Sequence, residues 1–461
     1  MSPSRKDPLA HLATLVSPDE YLTPEKSESE YAAESKTWSA ARNEHPAVVI
    51  RPQTIETLSS VIKYLHDTNL DYKVRSRGFG SASARDVVIS MTAFDEFEWD
   101  AATQTVTLGA GANWGKYYVE MEKAAPKQMI VAGRTPSIGY GAVSDASNLQ
   151  DAQLVLADGT ITWASQHPDL FWALRGTEGG FAAVARFKFN AKPFPENGNI
   201  WGGPIMIPRE KAPEVAKGIA AMCAREDTNP KVALFVYVLK KEILHFLGAD
   251  QDMLVIHAYD AFGEEHGRKE FAWALDFEGA IDKTRSQMTM REMTDLQANL
   301  GELQGKQSAF WTAMAIATLT EDMVLSALDW WATDNAQNKH GSVADQGYLL
   351  FELFSCRDNL TSQASSAWPR PLGFKHMVLI GSGCSADAPD SDLREAKRLV
   401  RDVGPAKILG AESAKHMVAI PNAMEDFHDL KAIYGENLPR LQEIKKKYDP
   451  NNRIKGRILP A

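Results

Sequence analysis

The stretch best suited to hold an anion is Arg75-Ser76-Arg77-Gly78-Phe79-Gly80-Ser81-Ala82-Ser83. Its small residues let backbone N–H groups approach a phosphate closely, and its arginines and hydroxyls add charge and donors. Gly78-Phe79-Gly80 looks superficially like a dinucleotide fingerprint. That motif needs a helix directly after it, whereas the strand-like Val87-Val88-Ile89 follows here. An ordinary glycine turn between strands is the competing reading. Two more donor-rich loops occur downstream: Gly133-Arg134-Thr135-Pro136-Ser137-Ile138-Gly139-Tyr140-Gly141 and Leu174-Arg175-Gly176-Thr177-Glu178-Gly179-Gly180-Phe181. Each is a weak signal alone; their order and spacing carry more. For proton chemistry the candidate is the run Tyr348 to Phe354. Tyr348, Leu350, Glu352 and Phe354 share one face if it is a strand, because strand side chains alternate. A carboxylate on an apolar strand can equally be an edge or ion-pair residue.

These residues must be positioned by a chain of 461 residues, too long for one ordinary core. With 60 acidic and 50 basic residues the net charge is −10, a balance that disfavours nucleic acid as a partner. Cys223, Cys356 and Cys384 are odd in number and widely spaced, which argues against a disulfide framework and a structural zinc site. No apolar leader and no run of about 20 apolar residues is visible, so no membrane partner is expected and the cytosol is the default location.

Residues 1–40 read as an N-terminal arm with a short helix or two. Thr54 is a plausible cap for a helix bearing Ile55, Leu58, Ile62 and Leu65 on one face, and Asn113 for one from Trp114 to Ala125. Short β-branched runs at 72–74, 86–91 and 105–108 predict strands. Asp158-Gly159 predicts a hairpin over 153–163, residues 168–175 a short helix, and 183–189 another strand. The first 190 residues thus show an α+β pattern. Proline and glycine cluster over 193–203, where a boundary is expected. Beyond it come a helix at 211–223, strands at 232–239, 244–248, 253–258 and 348–354, and helices at 263–275 and 321–333. That pattern predicts a second sheet covered by helices on one face. The chain closes with a helix after Asn437, stopped by Asp449-Pro450.

Taken in order, several segments resemble the vanillyl-alcohol-oxidase superfamily, with its PCMH-type FAD-binding fold, and within it the berberine-bridge-enzyme-like FAD-linked oxidoreductases. They are the helix start after Pro52, the Val74-Arg75-Ser76 glycine loop and Gly109-Ala110-Gly111 before Trp114. They also include Leu156-Ala157-Asp158-Gly159, the run from Pro168 to Gly176, Arg186-Phe187, Tyr434-Gly435-Glu436-Asn437 and Lys445-Lys446-Lys447-Tyr448-Asp449-Pro450-Asn451-Asn452. The likeness is dense over 45–190 and 425–461 and thin between.

It implies an FAD-binding domain over 41–195, a substrate domain with an antiparallel sheet over 196–420, and a segment 421–461 that completes the FAD domain. It implies FAD on Arg75 to Ala82, on Gly133, Arg134, Thr135, Pro136, Ser137, Gly139, Gly141, Ala142 and Val143, and on Gly179, Gly180, Val184 and Asn437. It also implies a general base facing the flavin, Glu352 or else Tyr348. The activity implied is an oxidase acting on a small organic or secondary-metabolite molecule, with dioxygen as electron acceptor.

The chain departs from the family at both usual sites of covalent FAD attachment. Phe79 stands at the place of the loop histidine. Gly141-Ala142-Val143 runs almost directly into Ser144-Asp145, without the cysteine-bearing stretch expected there. Three readings follow: FAD held without a covalent bond, a degenerate cavity used for ligand binding or non-redox cyclisation, or a gene reading that lacks an internal segment.

Overall fold

The computed structural model describes residues 6–130, 132–139, 148–177, 179–194, 200–225, 232–240, 251–344, 346–354, 366–369 and 373–458. Mixed helices and sheets make up the fold. The first sheet has the order β1-β2-β4-β3, with β1 Tyr21–Leu22, β2 Val48–Ile50, β3 Tyr72–Arg75 and β4 Val87–Ser90. β2, β4 and β3 run parallel, and every side chain of β2 and β4 is buried, as expected of a parallel sheet covered on both faces. The Ile55–His66 helix crosses between β2 and β3. Thr54 caps it by accepting from Thr57 N–H, and Leu58, Val61, Ile62 and Leu65 form its buried stripe.

The second sheet is antiparallel, β5-β6-β10-β8-β9, made of β5 Phe97–Asp100, β6 Thr105–Gly109, β8 Leu149–Val155, β9 Ile161–Trp163 and β10 Ala183–Asn190. A two-stranded ribbon beside it joins β7 Gln128–Met129 to β11 Lys192–Pro193. Asn113 caps the Trp114–Ala124 helix, and Gly159, at φ +87°, turns the expected hairpin. The C-terminal helix Asn437–Tyr448 buries Leu441 and Ile444 in one core with Leu170 and Trp172 of the Pro168–Leu174 helix. Tyr448 and Lys447 both bond Asp169 there.

The third sheet contains β12 Ile200–Pro208, β13 Val232–Leu239, β14 Met253–Asp260, β15 Ile281–Asp282, β16 Arg285–Met288, β17 Gln307–Ile316, β18 Tyr348–Phe354 and β19 His376–Ser385. Its main path is β15-β12-β14-β13-β18-β19-β17, with β16 also on β12. Two-residue alternation splits its faces. Leu349, Phe351 and Leu353, Val232, Leu234 and Val236, and Leu254 and Ile256 pack into one core with the Ala212–Cys223 and Glu321–Asp329 helices. Their odd-and-even neighbours face the other way, into a cavity.

Several elements differ from expectation. β12 begins inside the segment read as a boundary, and the ten-residue strands β17 and β19 were not anticipated. The helix expected over 263–275 is broken into Glu264–Glu270 and Ala272–Leu275, and the one over 321–333 passes at Trp330 into a π-helical turn. The N-terminal arm is bound into the fold, since Tyr21 pairs with Ile50 and Leu12 is fully buried. The strand expected at 244–248 lies outside the described residues. Among the described residues no helix is long and apolar enough to cross a membrane.

Candidate active site

A cavity of about 2350 Å³ lies between the first two sheets and the open face of the third. Single-ligand pockets run to roughly 300–1,000 Å³, so this one has room for a large cofactor together with a substrate. Arg75 to Ala82, Gly133 to Thr135, Gly139, Gly179, Gly180, Val184, Tyr348 and Glu352 all line it. Pro136, Ser137 and Asn437 do not. The Asn437 amide instead donates to the Ala367 carbonyl at 3.0 Å. Gly141, Ala142 and Val143 lie outside the described residues.

The loop after β3 is built from its backbone outward. Gly78 takes φ +81° over the Arg75 side chain, whose guanidinium donates to the Glu34 carbonyl. Ser76 Oγ donates to the Ala110 carbonyl at 2.6 Å. The hydroxyls of Ser81 and Ser83 accept from the Ser39 and Glu44 N–H groups, so they anchor the end of the N-terminal arm and the segment just after it. Phe79 stacks on Trp38 with ring centroids 4.5 Å apart. A Cβ on Gly80 of this loop, or on Gly179 of the loop after the Pro168–Leu174 helix, would meet no atom within 4 Å, so each loop has open space at that point. The buried Nε atoms of Arg75 and Arg77, both of which line the cavity, have no hydrogen-bond partner among the described residues. Orphaned donors beside an open glycine cradle suit a large polar, phosphate-bearing ligand. The residues present therefore fit the FAD that the fold implies.

Arg134, expected on the cofactor path, engages the third sheet. Its Nε donates to Glu352 Oε1 at 3.2 Å and its Nη2 to the same oxygen. Its Nη1 donates to the Tyr237 hydroxyl at 2.7 Å and to Gln297 Oε1 at 2.5 Å, while the group stands 4.3 Å over the Phe235 ring. Burial opposes its charge, but Glu352, Tyr237 and Tyr348 outweigh that and hold its pKa above the ordinary guanidinium value. Burial and then the Arg134 charge push His257 down to about 4, so it is neutral near pH 7. Burial raises the phenols of Tyr237 and Tyr348, the latter well above the usual value.

Glu352 therefore does not stand in the apolar company that its strand suggested. It is a carboxylate ion-paired with Arg134, whose guanidinium is in turn bonded to Tyr237 and Gln297. Among the described residues, both Arg134 bonds fall on Oε1, which leaves Oε2 to accept a proton. Tyr348 and Leu350 lie beside it on the same face, as the alternation required, and Tyr348 packs edge-on to Trp311 at 5.2 Å. Among the aromatic residues of the third sheet and its surroundings, Tyr237, Trp311 and Trp368 line the cavity, whereas Trp201 and Phe310 belong to the helix-side core. Gln297 and His257 escaped the sequence reading. The alternation of Val255, His257 and Tyr259 along β14 could have exposed His257; nothing in the sequence marks Gln297.

A family model described as "FAD binding domain" matches residues 46–165, and one described as "Berberine and berberine like" matches residues 425–453. An FAD-dependent monooxygenase of Cochliobolus heterostrophus is 26% identical over 320 residues, covering 62% of this chain and 59% of that one. The chain thus spans less than two thirds of that curated relative. Among solved structures, a berberine bridge enzyme superposes with a TM-score of 0.75 at 15% identity, covering 98% of this chain and 99% of that one. A xylooligosaccharide oxidase from Myceliophthora thermophila, solved with xylobiose, superposes with a TM-score of 0.74 at 16% identity, covering 95% and 96%. At such identities these superpositions show the fold.

Proposed function

Because the chain belongs to the berberine-bridge-enzyme-like FAD-linked oxidoreductases, we propose that it is an oxidase of a mid-sized organic molecule of the secondary-metabolite type. The observation that carries this reading is one cavity shared by the glycine cradle and the Tyr348–Glu352 face. Bound there, FAD would supply the hydride acceptor, with dioxygen as the terminal oxidant. The division into an FAD domain over 41–195 and 421–461 and a substrate domain over 196–420 belongs to the same proposal.

The chain's own residues do the rest. Glu352 Oε2 takes the proton from a substrate hydroxyl or activated C–H. Arg134 fixes the carboxylate by binding Oε1. Tyr237 and Tyr348 keep their protons and serve as hydrogen-bond donors. Trp311, Leu350 and Met293 offer an apolar wall that holds the substrate and excludes water. No histidine stands in the first glycine loop and no cysteine precedes Cys223, so FAD is held without a covalent bond at either usual place.

The visible absorbance spectrum of the purified protein tests the reading. A flavin spectrum that bleaches anaerobically with a reducing substrate and returns with oxygen is expected. A protein that stays colourless after incubation with FAD would sink it.

A further inference from the structure

Gln297 sits at the join of two short helical segments, Met290–Asp295 and the tighter turn Ala298–Leu303. The first is fixed by a reciprocal cap between Thr289 and Glu292 and by an ion pair from Arg291 to Glu122 at 3.0 Å. The second leads to Gln304, whose amide donates to the Lys36 and Arg77 carbonyls at 3.0 and 3.2 Å. Between them the Gln297 N–H donates to the Thr294 carbonyl at 2.9 Å. The residue is 6% exposed and lines the cavity, so its amide is delivered from a backbone held at both ends.

Its bonds fix which way that amide points. An arginine offers donors alone, so the atom that meets Arg134 Nη1 is Oε1. The same oxygen accepts from the Thr135 hydroxyl at 3.0 Å. Nε2 is therefore the atom that faces Tyr237, and it donates to the phenolic oxygen at 2.7 Å. Arg134 Nη1 donates to that oxygen as well, also at 2.7 Å. Two donors fill the acceptor capacity of the Tyr237 oxygen, and burial keeps the phenol protonated against the pull of Arg134. The proton itself meets no acceptor among the described residues; His257 stands edge-on, with ring centroids 5.3 Å apart. A buried O–H with its donor unused, on a residue that lines the cavity, is a group left for a ligand.

We propose that Tyr237 donates a hydrogen bond to an acceptor oxygen of the substrate, beside the Glu352 carboxylate, and that Gln297 is the positioning residue that turns the tyrosine into a donor. This rests on the oxidase reading above and narrows it to an oxygenated organic molecule rather than a cationic amine, which has no acceptor to offer. Reversing the polarity of the amide reverses the tyrosine. A carboxylate at position 297 accepts from Tyr237 and draws its proton away from the cavity, whereas an apolar side chain there leaves the proton to face a ligand.

The test titrates p-dimethylaminocinnamaldehyde into the FAD-loaded full chain and reads the difference absorbance, since this probe absorbs at longer wavelength when its carbonyl accepts a hydrogen bond. The wild type should shift the probe. Tyr237→Phe should lose the shift and bind roughly 2- to 10-fold more weakly, the range for one neutral hydrogen bond. Gln297→Glu should lose the shift and Gln297→Met should keep it. A purely structural clamp predicts the reverse order, because the carboxylate keeps an acceptor for Arg134 and Thr135 and the thioether does not. A Tyr237→Phe chain that retains the shift overturns the inference. So does a Gln297→Glu chain that retains it or a Gln297→Met chain that loses it. Bound FAD is read from its visible absorbance before the probe is added. A wild type that holds FAD but does not shift the probe overturns the inference alone, and one that takes up no FAD overturns the flavin reading on which it rests.

Discussion

The Arg134 guanidinium meets the Glu352 carboxylate across the cavity, Nε to Oε1 at 3.2 Å, and so ties the loop after β7 to a strand 218 residues later. The pair is closed by Tyr237 and Gln297, which bond each other at 2.7 Å and both bond Arg134. One oxygen of the carboxylate is thereby held, on a residue that lines the cavity. Glu352→Gln keeps the shape and an acceptor for Arg134 but removes the proton acceptor. Flavin content should stay near wild type, and the reductive half-reaction should slow by roughly 10²–10⁴-fold, the range for a positioned general base. Rapid-mixing reduction, normalised to bound flavin, is the measurement. An unchanged rate constant removes Glu352 from the mechanism and leaves Tyr348 as the next residue to change.

How FAD is held is open to a simpler assay. Phe79 is stacked on Trp38, and a phenyl ring offers no atom for attachment. Acid precipitation of the flavin-loaded chain should leave the yellow colour in the supernatant. Colour retained by the washed, denatured pellet would show a covalent link elsewhere.

The elements that carry local signals were legible in the sequence. The caps Thr54 and Asn113, the Asp158-Gly159 turn and the alternation through Tyr348, Leu350 and Glu352 all act over a few residues. β19 was hidden because Gly381 and Gly383 break its apolar run. Those glycines answer to the partner strand: a Cβ on Gly381 would stand 2.4 Å from the Trp311 ring directly opposite. β12 is masked in the same way, since Gly202 lies against the Ala258 carbonyl. Within the site, the placement of Glu352 was legible and its partner was not. Nothing local to Glu352 or to Arg134 records a contact made across 218 residues.

Acid should destabilise the chain in two stages. His257, His376 and His428 are each pushed down to about 4, all chiefly by burial. An unfolded histidine titrates near 6.5, so between those values the unfolded chain binds protons that the folded chain refuses. The stabilisation is complete above about pH 6.5 and is lost as pH falls toward 4. Below that, Asp169 and Glu395 continue the loss. Lys447 and Tyr448 overcome burial to hold Asp169 at about 2, and Arg398 holds Glu395 at about 2. Melting temperature should therefore be flat between about pH 6.5 and 7.5 and fall steadily from about 6.5 to 4.5. His428→Gln should reduce the slope, since among the described residues its ring nitrogens bond the Glu425 N–H and Thr312 Oγ1, both of which a glutamine amide can meet. A melting temperature constant across this window contradicts the assignment.

The Lys445–Asp449 pair is the most deeply buried ion pair described, at 1% and 0% side-chain exposure with Nζ 2.5 Å from Oδ2. Asp449 also accepts from the Arg453 N–H at 2.8 Å and the Ile454 N–H at 2.7 Å, so it folds the chain back after the C-terminal helix. Burial works against the Lys445 charge, and Asp449 is the counterweight. Removing the lysine alone strands a carboxylate in the core, a change that costs on the order of 3–5 kcal/mol. Lys445→Met should therefore lower the denaturant midpoint sharply. Lys445→Met combined with Asp449→Asn removes both charges but keeps an acceptor for only one of the two N–H groups, which bond different carboxylate oxygens, so it should recover part of the loss. The recovery is the coupling between the two side chains, read from the double-mutant cycle. A double variant no more stable than Lys445→Met would show that the ammonium acts through the Gly180 and Ile454 carbonyls alone. A single variant as stable as wild type would mean that Lys445 does not hold the C-terminal segment at all.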